Sequence, residues 1–216
     1  MSELHPPRAP EPGVRATYRA RVGSQELELP LAELSDDLSI ALLITADVSI
    51  GFMEQAGREL AALLPRGVEV VATAATLGLP VAIEVSRALD LDDYLVLHKT
   101  PKIHLRDALV EPVRSITTGP VQALRLDRAR LASVEGRRAA FVDDVVSTGS
   151  SAAAALRLLR RAGAEVAAVG ALVTETSAWR QTLGPDASLV RALGSIPVFR
   201  RGSSGELVES WDDRPD

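Results

Sequence analysis

With 216 residues, 46% of them hydrophobic and 25% charged, the chain has the make-up of one globular domain with a small appendage. A formal net charge of −5 and the lack of any apolar run of membrane-spanning length exclude a nucleic-acid or membrane footprint. No secretory pattern opens the chain, so the expected location is cytoplasmic. The absence of cysteine excludes disulfides, thiolate metal sites and a cysteine nucleophile.

Residues 1–14 are proline-rich and aperiodic, and read as a disordered arm. Residues 15–216 read as a single domain. Tyr18–Val22 and Glu26–Leu29 alternate polar and apolar residues around Gly23-Ser24, a hairpin pattern. Ile40–Ala46 is apolar, and periodicity does not decide between strand and buried helical turn. Ser49–Leu64 carries Phe52, Ala56, Leu60 and Leu63 on one helical face, and Pro65-Arg66-Gly67 ends it. A strand over Val68–Ala72, a loop over Thr73–Gly78, a helix over Leu79–Leu89 and a strand over Tyr94–His98 follow. This alternation predicts a parallel sheet.

Lys99, Lys102, His104 and Arg106 then crowd one short stretch of an otherwise acidic chain. Val113–Thr118 and Gln122–Leu126 read as a hairpin across Gly119-Pro120. Further strands are expected at Val166–Glu175, Ser188–Leu193, Ile196–Phe199 and, as an edge, Leu207–Trp211. Trp179 and Trp211 are expected in the core. Asp212–Asp216 reads as a frayed tail.

The stretch that organises the rest runs from Arg138 to Ser151. Ala139–Val142 is apolar without alternation, as a strand covered on both faces would be. Asp143 and Asp144 follow at its carboxyl end, the edge where open α/β sheets bind ligands. Ser147-Thr148-Gly149-Ser150-Ser151 then opens a helix that continues through Leu159. A helix start gathers free N–H groups and positive potential, which suits a phosphate, and the hydroxyls can add donors. Two carboxylates beside a phosphate cradle repel the phosphate and need another task. Accepting hydrogen bonds from a sugar diol fits, with Mg²⁺ relieving the remaining repulsion. The ligand so predicted is a ribose 5-phosphate. Taken piecewise, Asp-Asp could merely end a strand and Ser-Thr-Gly cap a helix; the full ordered string is more specific.

That string, four apolar residues, two acids, two apolar residues and a Thr-Gly loop, resembles the signature for 5-phosphoribosyl 1-diphosphate (PRPP) of the type I phosphoribosyltransferases. The resemblance implies an α/β fold with a parallel sheet core flanked by helices over about residues 40–180. It also implies a small hood, assigned to the N-terminal hairpin and the C-terminal strands. PRPP is expected on Asp143, Asp144, Ser147, Thr148, Gly149, Ser150 and Ser151. The loop after the first core strand is expected to touch diphosphate through Ala75 and Thr76. Lys99 and Lys102 are expected to stabilise the diphosphate leaving group. Asp143 and Asp144 are expected to meet Mg²⁺ only indirectly, through the ligand. Residues 113–126 are similar to the family's closing hood loop, which shields an oxocarbenium-like centre from water.

The resemblance is closest to the purine enzymes. The 6-oxopurine enzymes carry an acid at the place of Ser147 and the adenine enzymes a small residue, so Ser147 favours adenine. The adenine enzymes carry Ser-x-Glu-Tyr-Gly in the hood loop. Here the string is Ser115-Ile116-Thr117-Thr118-Gly119, closer to a xanthine enzyme. The base thus stays open between adenine and xanthine, another 6-oxopurine or an unusual heterocycle. Glu111 is the candidate acid or base at the purine. The implied partners are PRPP and a nucleobase, and the implied assembly is a homodimer. A non-catalytic PRPP-binding regulator is the alternative of another class. No basic recognition helix accompanies it here.

Overall fold

The computed structural model describes residues 16–103, 107–113 and 122–211. The arm, His104 and Arg106, the hood-loop string 115–119 and the tail lie outside the described residues.

The chain opens with three antiparallel strands, β1 (Thr17–Val22), β2 (Gln25–Ser35) and β3 (Leu38–Ala41). Gly23 turns the first hairpin at φ +60°. β2 runs beyond its expected end at Leu29 and through Pro30. The ladder tolerates this because it asks Pro30 only for its carbonyl, which accepts the Leu42 N–H at 2.9 Å. The undecided stretch 40–46 becomes the end of β3, an extended link and a 3-10 turn at Thr45–Asp47.

α1 (Ile50–Leu63) is capped by the Ser49 hydroxyl, which accepts the Phe52 N–H at 3.3 Å. β4 (Val70–Ala74), α2 (Gly78–Ala88) and β5 (Leu95–Leu97) follow. β4 starts and ends two residues later than expected, because Thr73 and Ala74 still pair with Val96 and Leu97. β6 (Ala108–Val113) and β7 (Gln122–Asp127) form an antiparallel hairpin. Its first described arm, Ala108–Val113, pairs residue for residue with β7, and the expected arm beyond Val113 lies outside the described residues. The chain continues with β8 (Arg138–Val146), α3 (Ser150–Arg161), β9 (Glu165–Glu175), a short α4 (Trp179–Leu183), β10 (Val190–Ile196), β11 (Val198–Arg201) and β12 (Leu207–Ser210). The stretch Gly184–Leu189 is a 3-10 turn carrying Pro185 near its start, so β10 begins later than the expected Ser188.

The central sheet is parallel, in the order β10-β9-β8-β4-β5. α1, α2 and a second sheet pack on one face around Ala56, Leu60, Val81, Val142, Leu172 and Phe199. α3 packs on the other face around Phe141, Leu95, Leu156 and Leu159. This is the expected helix-flanked parallel core. It explains why Ala139–Val142 carries no alternation: both faces of β8 are covered. A fully buried side chain such as Leu60 or Phe141 contributes about 1.5–3 kcal/mol.

The second sheet is antiparallel, in the order β1-β2-β3-β11-β12. It joins the two ends of the chain, with Phe199 opposite Ser39 and packed edge-on against Tyr18 at 5.3 Å. Trp211, expected in the core, is 45% exposed beyond the edge strand β12, because no element among the described residues covers that edge. No helix of the described residues is long and apolar enough to cross a membrane.

Candidate functional site

A cavity of about 240 Å³ opens at the carboxyl edge of the central sheet. Asp143, Asp144, Ser147, Thr148, Gly149 and Ser151 line it from β8 and the start of α3, Thr76 from the β4–α2 loop, and Lys99 from the end of β5. Leu77, Val145, Val146 and Ala152, not expected from the sequence, complete the wall. Ala75, Ser150, Lys102 and Glu111 do not line it.

β8 does not end at the two acids. It stays paired through them to Val146, with Asp143 opposite Ala171 and Val145 opposite Val173. The acids are therefore held by a rigid strand. Asp143 is 8% exposed. Its carboxylate lies against the start of α2, and only a glycine fits there. A Cβ on Gly78 would stand 2.1 Å from Thr73 Oγ1 and 2.5 Å from Asp143 Oδ1. Burial pushes the Asp143 carboxyl well above the usual range, and the charge of Asp144 adds to the shift. Burial raises Asp144 too, while its hydrogen bond from Asp143 and the Lys99 charge oppose the rise. Both carboxyls are thus harder to ionise than exposed ones, Asp143 the more so.

The phosphate-type loop is set by Gly149, left-handed at φ +78°, immediately before α3. A Cβ there would meet Trp179 backbone and side-chain atoms at 3.1–3.2 Å. Trp179 is buried, and its indole N–H donates to the Thr176 carbonyl at 3.1 Å. The unpredicted α4 is thereby a backstop to the loop. The expectation that four hydroxyls supply donors needs correction. Thr148 donates to Ser150 Oγ at 3.1 Å, and Ser147 donates to the carboxylate of Glu175 at the end of β9. Those two hydrogens are used within the protein, and Ser150 is buried behind the loop. Ser147, Thr148, Gly149, Ser151 and Ala152 are the residues of this loop and first turn that line the cavity.

The β4–α2 loop is tied at both ends. The Ala75 N–H donates to the Leu97 carbonyl at 3.1 Å, and the Leu77 carbonyl accepts the Thr45 hydroxyl. Ala75 therefore contributes its fixed backbone rather than a cavity wall. The Lys99 carbonyl accepts from the Arg125 guanidinium at 2.9 Å, and His98 and Arg125 exchange backbone hydrogen bonds at 2.9 Å. β7 thereby anchors the strand end that carries Lys99. Lys102 is exposed and away from the cavity wall, because the chain has left the sheet edge by that point.

Glu111, the candidate acid or base, does not line the cavity. It is 9% exposed and clamped to α3, accepting from Arg157 Nε at 2.7 Å and from Arg161 at 2.8 Å. The Arg157 hydrogen bond, ahead of that from Arg161, holds its carboxyl below the usual range. A carboxylate so engaged is a poor proton donor. The spacing of Arg157 and Arg161, one helical turn apart, was the available sign of a carboxylate partner. Glu175 and Gly78 were missed. A carboxylate closing the buried run Val169–Val173 was the only sequence sign of the former.

A family model of the phosphoribosyl transferase domain matches residues 47–199. The adenine phosphoribosyltransferase of Streptomyces avermitilis is 46% identical over 65 residues, 30% of this chain and 33% of that protein. That of Mycobacterium avium is 48% identical over 67 residues, 31% of this chain and 32% of that protein. The chain thus spans about a third of the length of these curated relatives. The crystal structure of adenine phosphoribosyltransferase from Rhodothermus marinus superposes with a TM-score of 0.59 at 17% identity, over 83% of this chain and 94% of that one. At that identity the likeness speaks for the fold.

Proposed function

This chain belongs to the phosphoribosyl transferase domain family, and from that premise we propose that it joins a purine base, adenine by preference, to PRPP. The products are a nucleoside 5′-monophosphate and diphosphate. The observation that carries the reading is that the acid pair Asp143–Asp144 and the Thr148–Ser151 loop border one cavity. The names of the two curated relatives and the small, uncharged Ser147 favour adenine.

In this reading the bond between ribose C1 and the diphosphate oxygen breaks, a C1–N bond to the base forms, and the proton lost by the base passes to the departing diphosphate or to water. Positive charge grows on the ribose ring. Asp143 and Asp144 accept the ribose hydroxyls and favour that charge. The first turn of α3 holds the 5-phosphate through backbone N–H groups. Lys99 and the β4–α2 loop face the departing diphosphate. No group of three or more His, Asp or Glu capable of holding a metal occurs among the described residues. Two carboxylates beside a polyanion suit a hard divalent cation that arrives largely on the ligand's own oxygens. Asp143 and Asp144 would meet Mg²⁺ only through the ligand, and the ion would supply charge neutralisation to the diphosphate. A homodimer in the cytoplasm belongs to the same reading, in keeping with the family resemblance.

The test offers PRPP and Mg²⁺ with adenine, hypoxanthine, guanine, xanthine, uracil and orotate separately, and follows diphosphate release. Release is expected with adenine above all; PRPP binding without release for any base would replace the enzyme by a sensor. Lys99→Ala is expected to slow turnover about 10–100-fold, the range for losing one charge-assisted contact to a leaving group. Lys102→Ala is expected to stay within about twofold, as surface substitutions do. Equal losses from both would return Lys102 to the site.

A further inference from the structure

Thr73 is fully buried one residue before β4 ends, and its hydroxyl has no hydrogen-bond partner among the described residues. Its backbone is paired on both sides, with Val96 on β5 and Val142 on β8. A buried hydroxyl without a partner costs stability, so packing alone would favour valine here. Valine has nearly the same shape and already stands at Val70 and Val71 of this strand. The hydroxyl therefore asks for another explanation, and its surroundings supply one. The point where a Cβ on Gly78 would sit is 2.1 Å from Thr73 Oγ1 and 2.5 Å from Asp143 Oδ1. Both oxygens face one small gap, which only a glycine at position 78 leaves open. Asp143 Oδ1 accepts the Asp144 N–H at 3.2 Å, at the long end of the range. A carboxylate oxygen has two lone pairs, so Oδ1 can take a second donor. Thr73 brings that donor to it from the neighbouring strand.

We infer that Thr73 is a positioning residue of the acid pair, its hydroxyl anchoring Asp143 Oδ1 from within while the sugar diol engages the outer oxygen. The inference rests on the functional reading above and deepens it. Thr73 does not line the cavity and acts only through Asp143. A carboxylate held at one oxygen keeps its plane, so the other oxygen meets the diol at a fixed angle. The hydroxyl thus contributes nothing to the ligand-free fold and something to the bound state. Stability and binding should respond to its removal in different ways.

Melting curves of the ligand-free protein, read beside calorimetry with ribose 5-phosphate, test this without turnover. Thr73→Val keeps the shape and removes the hydroxyl. It is expected to melt no lower than the unaltered protein, while affinity for ribose 5-phosphate falls about tenfold, the scale of one hydrogen bond to a charged group. Thr73→Ser keeps the hydroxyl and loses a buried methyl. It is expected to melt lower, yet to bind within about twofold of the unaltered protein because the hydrogen bond is retained. In an Asp143→Asn background, Thr73→Val is expected to cost less than about threefold, since a neutral acceptor gains less from the same donor. Thr73→Ala read against Thr73→Ser isolates the same hydroxyl if Thr73→Val does not fold. Unchanged affinity in Thr73→Val overturns the inference. Equal losses in the valine and serine variants would make Thr73 a packing residue, and fully additive losses with Asp143→Asn would separate it from that acid; either result overturns the inference too. If the unaltered protein binds no ribose 5-phosphate, the functional reading itself fails and takes this one with it.

Discussion

Asp144→Asn is expected to lower turnover about 100-fold, with weaker PRPP binding, while leaving the fold intact. The size is that of removing one preorganised electrostatic contact to a charge that develops in the transition state. Asparagine keeps the shape and one acceptor, so hydrogen bonding to a ribose hydroxyl survives in part. What it loses is the negative charge facing the ribose ring as that ring becomes cationic. Asp144 lines the cavity from a strand still paired on both sides of it, at Asp143–Ala171 and Val145–Val173, so the substitution has little room to relax. The loss should therefore appear in kcat as well as in KM for PRPP. Steady-state kinetics with PRPP varied decides. Near-normal kcat and KM would remove the diol assignment, whatever the fold.

The contrast between this residue and Glu111 shows what a sequence can and cannot carry. The acids and the phosphate loop lie within nine consecutive positions, and their chemistry depends on that local order alone: strand, acids, helix start. Periodicity reads such a unit directly. Glu111 was drawn to the site by its place in the chain, but its role is set by Arg157 and Arg161, 46 and 50 residues away. Nothing local to Glu111 distinguishes a solvated carboxylate, an active acid and a clamp. Ser147 fails in the same way. Its residue type suggests a free donor, and only the hydrogen bond to Glu175 on the neighbouring strand shows that the hydroxyl is already engaged.

Gly78 is a third case. It reads as a loop glycine, while its real constraint is the close approach of Thr73 and Asp143 from two adjacent strands. The parallel core was legible because each strand and helix announces itself. The first arm of the β6–β7 hairpin was not, since pairing with β7 fixes its register and several registers fit the local pattern.

Asp143→Asn is expected to do the opposite of what a core substitution usually does: raise thermal stability while weakening the ligand. The Asp143 carboxyl is buried beside a second carboxyl, and burial first, then the Asp144 charge, raise its proton affinity well above the ordinary value. The folded chain therefore binds a proton that the unfolded chain releases near pH 4. By linkage, the stability tied to this group is fully present below that pH. It is lost as pH rises from there through the raised folded value. Lys99 opposes the shift without cancelling it. Asparagine mimics the protonated acid, so it can still donate to Asp144 without the charge penalty.

At pH 8 the variant should gain about 1–2 kcal/mol, the scale of one uncompensated buried polar or charged group. For a chain of this size that is about 2–8 °C in Tm. Its Tm should also depend less on pH above about 4, the ordinary carboxyl value, because the slope owed to Asp143 is removed. Affinity for ribose 5-phosphate should fall about tenfold, since a charge-assisted acceptor for the diol is gone. Melting curves across pH, with and without ribose 5-phosphate, measure both effects. A lower Tm at pH 8 would mean that Asp143 is held by contacts stronger than its burial penalty. A pair kept at a stability cost is explained only by the ligand it awaits, so a gain in Tm coupled to a loss of binding is the signature that separates a functional acid pair from a structural one.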